Sequence, residues 1–172
     1  MTTLKESMKE LVFSGRKMAI YSALLTLFLA AYFIVWHYSA ISLASGFSVF
    51  EISAGFKKIV VSYAMASLVG SSLISLIMLA LKQGRSRKIF MWIVLAVFFL
   101  SEFVRMFDWG ALYFGGNHID NNFWANAFYT DGLVFLVTKE SIALYLSVAL
   151  FFTGMLYLLK GMAAAAPGED RS

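Results

Sequence analysis

Four stretches of this chain are apolar and long enough to cross a lipid bilayer, and they limit every other choice the chain can make. A hydrocarbon core takes about 20 helical residues to cross, whereas a barrel strand needs only about 9–11. The stretches run approximately over Met18–Tyr38, Ile59–Leu81, Ile89–Phe107 and Ser141–Leu159. Within lipid, backbone N–H and C=O groups must pair inside the protein, and runs of this length do so as helices. The expected fold is an all-α integral membrane protein with four transmembrane helices. One membrane domain is expected over residues 1–162, followed by a flexible cytoplasmic tail over residues 163–172. An extra apolar run, Leu133–Val137, is too short to span, so it either extends the fourth helix or lies in the interface.

Composition excludes the main alternatives. Charged residues make up 14% of the chain, against about 25% in soluble domains. The net charge of +4 comes without the basic stripe of a soluble nucleic-acid-binding module. Cysteine is absent, which removes disulfides, thiolate metal sites and thiol catalysis. His37 and His118 are the only histidines. His118 with Asp120 falls short of the four ligands of a structural zinc site, and His37 has no second axial ligand on a facing span for haem. No cofactor or metal is implied.

The basic residues orient the spans. Lys5, Lys9, Arg16 and Lys17 precede the first span, Lys82, Arg85, Arg87 and Lys88 lie between the second and third, and Lys160 and Arg171 follow the fourth. The opposite side carries Lys57, Lys58, Arg105 and Lys139. The positive-inside rule then puts both termini in the cytoplasm, an N-in/C-in arrangement. Compactness and this asymmetry point to a bacterial inner membrane. Glu6, Glu10 and a long apolar core favour a signal anchor over a cleaved signal peptide. Thr3 and Glu6 have capping-box spacing, and Leu4, Met8, Leu11 and Val12 recur at helical spacing. These residues predict a short amphipathic helix on the cytoplasmic interface. In the second connection, Gly84 marks a tight turn, and Lys82, Arg85, Arg87 and Lys88 around it are expected to attract anionic lipid headgroups.

Two stripes of small residues mark the second span. Ser62, Ala66 and Gly70 form one, and Ser67, Ser71 and Ser75 form the other. Small residues at intervals of four let helix backbones approach closely, where dispersion and hydroxyl hydrogen bonds hold helices together in lipid. The second span is therefore expected at the centre of the bundle, with the other three more lipid-facing. Either stripe can pack within the chain or serve as a seam for another protein's helix.

The third span ends with Glu102, Arg105 and Asp108, spaced to share one side of a helix. An ionisable residue at membrane depth raises a functional hypothesis by default. His37, Lys139 and Glu140 fall at the same outer level, and all six are expected to converge. The cluster reads either as an ion-pair network that fixes helix register or as a polar pocket open to the outside. Beyond it, residues 108–132 form an outer loop rich in aromatics and asparagine, including Trp109, Tyr113, Trp124, Phe128 and Tyr129. Such residues lie down on a membrane interface or build a recognition surface.

No nucleophile or metal set accompanies the carboxylates, so catalysis is not expected. The first reading is a non-enzymatic membrane protein that acts by helix–helix and outer-loop contact with another membrane protein or a second copy of itself. The alternatives are a small oligomeric transporter, channel or ion-binding subunit built on Glu102, Arg105 and Asp108, and a membrane enzyme or electron-transfer subunit. In size, span number and topology the chain resembles the small inner-membrane immunity proteins that block pore-forming bacteriocins. It is likewise similar to entry-exclusion proteins and to accessory subunits of secretion or transport complexes. The resemblance covers architecture alone and carries no site residues.

Overall fold

The structure, a computed structural model, describes the backbone of residues 4–45, 56–81, 84–115 and 139–165, and the side chains of residues 11–39, 58–81, 84–108 and 142–165. The described chain is helical. It forms α1 (Leu4–Ser45), α2 (Phe56–Ala80), α3 (Arg85–Gly115) and α4 (Lys139–Ala165). Each helix carries one candidate membrane span: Leu11–Ser39, Lys58–Ala80, Arg85–Asp108 and Ile142–Ala165. The protein is a polytopic membrane protein.

Cross-helix contacts fix the topology. At one end of the bundle the Ser14 hydroxyl donates to the Ala165 carbonyl. Further along, Phe28 stacks on Phe151, with ring centroids 5.6 Å apart. The start of α1 thus meets the end of α4, and the two run antiparallel. Thr26 meets Ser71, and Tyr63 meets His37, so α1 and α2 are also antiparallel. Arg87 near the start of α3 bonds Ala163 near the end of α4. The bundle is up-down-up-down. The first and last described residues share one end with the turn at Gly84, here termed the basic end. Gly84 makes that turn at φ 91°, the left-handed region that glycine enters without steric cost.

Residues spaced three and four apart supply the core. Met18, Leu25 and Leu29 come from α1, Ile74 and Met78 from α2, Met91, Val94 and Leu95 from α3, and Phe151, Met155, Leu159 and Met162 from α4. Large apolar side chains cover the outside, as a lipid-facing surface requires. Leu150 and Tyr157, for example, are each 71% exposed.

Four expectations change. First, the central helix is α1, which packs on all three others, while α2 leans mainly on α1. An apolar 18-residue stretch of α2 is 17% buried, against 28% for the corresponding stretch of α4. The holes that admit α1 lie on α4. A Cβ at Gly154 would sit 2.6 Å from the Phe28 ring, and one at Gly161 would collide with Tyr21. Bulky residues of α1 therefore pack inward. Second, the amphipathic N-terminal segment is no separate helix, because α1 runs unbroken from Leu4 to Ser45. At about 1.5 Å per residue it is about 60 Å long, twice the hydrocarbon thickness. No proline interrupts it, and a single glycine such as Gly15 costs a helix only about 1 kcal/mol. Third, α4 continues through Ala163, Ala164 and Ala165, residues expected in the tail. Alanine is the strongest helix former, and Ala165 is buried. Fourth, α3 extends to Gly115, so Asp108, Trp109 and Tyr113 are helical rather than part of the loop.

Candidate functional site

Away from the basic end, a run of polar and aromatic side chains crosses α2, α1 and α3. It starts from register. Met91, Leu95, Phe98, Glu102 and Arg105 follow one another on α3 at intervals of four, three, four and three. Glu102 therefore occupies a place on the inward stripe that a hydrophobic residue fills elsewhere, and it is 1% exposed. A carboxylate there needs partners. Tyr32 of α1 donates its hydroxyl to Glu102 Oε2 at 2.8 Å. Arg105, one turn along α3, pairs with Oε1 at 3.5 Å. That separation is an ion pair rather than a hydrogen bond, and among the described residues Oε1 accepts no hydrogen bond.

Arg105 is held from the other side by Phe33, whose ring centroid lies 4.2 Å from the guanidinium carbon. Phe33 also meets Tyr63 of α2 at 6.1 Å, Phe98 of α3 at 6.5 Å and Phe151 of α4 at 6.3 Å, so one α1 ring touches all three neighbouring helices. Tyr63 in turn hydrogen-bonds His37 Nδ1 at 3.2 Å. Tyr32 additionally lines an apolar groove of about 440 Å³ between α1 and α4, together with Phe28, Trp36, Leu144 and Phe151.

Of the six residues expected to converge, the structure describes the side chains of four. Glu102 and Arg105 come together, and His37 joins through Tyr63 and Phe33 rather than through a carboxylate. Asp108 follows one turn beyond Arg105, half-buried. Lys139 and Glu140 open α4, but their side chains lie outside the described residues, as do those of Trp109 and Tyr113. Trp124, Phe128, Tyr129, His118, Asp120, Lys82 and the run Leu133–Val137 are wholly outside them. Tyr32, Phe33 and Tyr63 were not singled out from sequence. The available signal is that a tyrosine hydroxyl inside a membrane span needs a hydrogen-bond partner, so Tyr32 and Tyr63 mark places to look for one. Among the described residues, no three His, Asp or Glu side chains gather to hold a metal ion.

The two stripes on α2 part company. Ser67, Ser71 and Ser75 are buried. Ser71 meets Thr26 of α1, and Ser75 donates to the Ser71 carbonyl at 2.7 Å. Ser62 and Ala66 are exposed and Gly70 is half-exposed. A Cβ at Gly70 would meet nothing within 4 Å. The close approach that small residues permit is thus used on the inner stripe and unused on the outer one. The chain matches no protein-family model, no curated protein and no solved structure.

Proposed function

We propose that this multi-pass membrane protein is non-enzymatic and works by contact, docking through α2 on a helix of another membrane protein. Its role would be that of an accessory subunit of a larger membrane complex or of a protective immunity or exclusion protein. It would lie in a bacterial inner membrane with both termini cytoplasmic, as the basic asymmetry indicates. The observation that carries the reading is the outward stripe Ser62, Ala66 and Gly70, with Ser62 and Ala66 exposed and open space over Gly70. Helix association in lipid draws on this kind of close backbone approach. The Tyr32–Glu102–Arg105 network belongs to the scaffold in this reading, because it joins α1 to α3 inside the chain.

The absence of cysteine makes the test clean. Single cysteines replacing Ala66 or Gly70 should crosslink to a partner in native membranes, whereas one replacing Leu150 on α4 should not. Ala66→Leu with Gly70→Leu should abolish co-purification of that partner in mild detergent while the protein still inserts. Unchanged co-purification would reject the α2 surface. A crosslink only to a second copy would replace the foreign helix with self-association.

A second reading, a small oligomeric ion-binding or transport subunit, has one observation in its favour: Glu102 Oε1 is buried and accepts no hydrogen bond among the described residues. It requires ion flux in proteoliposomes that Glu102→Gln alters, and a silent parent protein would end it.

A further inference from the structure

The basic end of the bundle carries a feature that the contact reading does not use. A cleft of about 570 Å³ lies between the start of α3 and the end of α4, lined by Gly84, Arg85, Arg87, Lys88, Met91, Lys160 and Ala163. Every charged residue in that lining is basic. We propose that this cleft binds the phosphate of an anionic membrane lipid, with Arg85, Lys88 and Lys160 as its cationic contacts.

The cations do not share one task. Arg87 is 5% exposed and acts as the back wall. Its Nε donates to the Leu81 carbonyl at 3.0 Å and its Nη1 to the Ala163 carbonyl at 3.4 Å, which ties the end of α2, the start of α3 and the end of α4 together. Arg85, Lys88 and Lys160 are exposed. Among the described residues none of the three is paired with a carboxylate. The position of Arg85 and Lys88, at a helix start, disfavours their charge without an anion. The N-terminus of a helix carries a partial positive charge that favours acids in the first turn, yet the first turn of α3 holds none. Three basic residues, Arg85, Arg87 and Lys88, stand there instead, and Lys160 is brought beside them by α4. A bound phosphate relieves the mutual repulsion and the clash with the helix dipole together.

The surroundings identify the source of the phosphate as a lipid. On α3, Trp92 lies one turn deeper than Lys88 and is 60% exposed; on α4, Tyr157 lies one turn deeper than Lys160 and is 71% exposed. Trp and Tyr prefer the headgroup level of a bilayer, with lysine and arginine reaching outward from it. Outside the cleft, both helices that flank it thus pass from cation to interfacial aromatic in the direction of the hydrocarbon. Met91, deeper along α3 than Lys88, gives the cleft an apolar residue on its hydrocarbon side, which suits the start of an acyl chain.

The test uses the full chain in a neutral detergent, titrated with phosphatidylglycerol, phosphatidylcholine or inorganic phosphate and read by native mass spectrometry. Phosphatidylglycerol should give a one-to-one adduct, and phosphatidylcholine at equal concentration should not. Lys160→Gln should weaken that adduct about five-fold, on the scale of one surface cation. Lys17→Gln removes the same charge at the same end but outside the cleft, and should leave the adduct unchanged. Equal losses in the two variants, or equal binding of the two lipids, would overturn the proposal in favour of diffuse attraction. Saturation by inorganic phosphate with no lipid adduct would keep the anion chemistry and overturn the lipid assignment. Residues 166–172 carry Glu169 and Asp170. A lipid adduct that formed only after their deletion would show the chain's own acids in the cleft, and would also overturn it.

Discussion

The seam between α1 and α4 and the outward side of α2 both contain glycine, and they use it in opposite ways. At the seam, Gly154 and Gly161 are holes for the rings of Phe28 and Tyr21. On α2, Gly70 opens on empty space. A missing side chain permits a close approach, and only the neighbouring helix decides whether the approach is made. The seam therefore carries the fold, and the outer α2 stripe is left uncovered among the described residues. The sharpest way to break this contrast is to fill both kinds of site. Gly154→Leu has no room. The Phe28 ring cannot retreat freely, because it is stacked on Phe151 at 5.6 Å. Overpacking of this kind costs about 1–3 kcal/mol, so thermal unfolding in detergent should show a large loss, with Phe28→Ala restoring part of it. Gly70→Leu should unfold like the parent protein. A comparable loss at Gly70 would mean that α2 is packed on both sides, and the contrast would fail.

A smaller effect is expected where the polar run crosses from α1 to α3. Tyr32→Phe removes the donor to Glu102 Oε2 and leaves a 1% exposed carboxylate with Arg105 at 3.5 Å as its remaining contact. Interhelical polar contacts in membranes are worth about 0.6–2 kcal/mol, so the variant should lose stability within that range. Glu102→Gln keeps an acceptor for Tyr32, and the double variant Tyr32→Phe with Glu102→Gln should cost less than the sum of the two. Additive losses would show that the two side chains do not act on each other, and the bond would then contribute nothing to holding α1 against α3.

Some of this could be read from sequence and some could not, for identifiable reasons. The four spans follow from apolar length, and Glu102 and Arg105 follow from a spacing of three on one helix. Both are properties of a single segment. The place of α1 at the centre is a property of pairs. Its Phe28, Tyr32 and Phe33 look lipid-facing alone, and pack inward because α4 offers Gly154 and α3 offers Glu102 and Arg105. The stripes on α2 misled in the same way. They lie about 100° apart on the helix, and nothing in their own spacing says which one faces α1. Tyr63, as the partner of His37, was hidden for this reason too.

The inner stripe of α2 offers the finest test of the contrast. Ser71 meets Thr26, and Ser75 donates to the Ser71 carbonyl, but the Ser67 hydroxyl is buried at 3% exposure and has no hydrogen-bond partner among the described residues. Ser71→Ala should therefore cost about 0.6–1 kcal/mol, the value of a typical cross-helix hydroxyl contact. Ser67→Ala, one turn away, removes a group that was desolvated without return, and should leave stability unchanged or raise it by up to about 1 kcal/mol. Both are measured in the same detergent melts as the glycine variants. If Ser67→Ala instead weakens the fold as Ser71→Ala does, the Ser67 hydroxyl has a partner in the membrane. Water or a further helix would then reach the inner stripe of α2, and the division of that helix into a closed side and an open side would have to be redrawn.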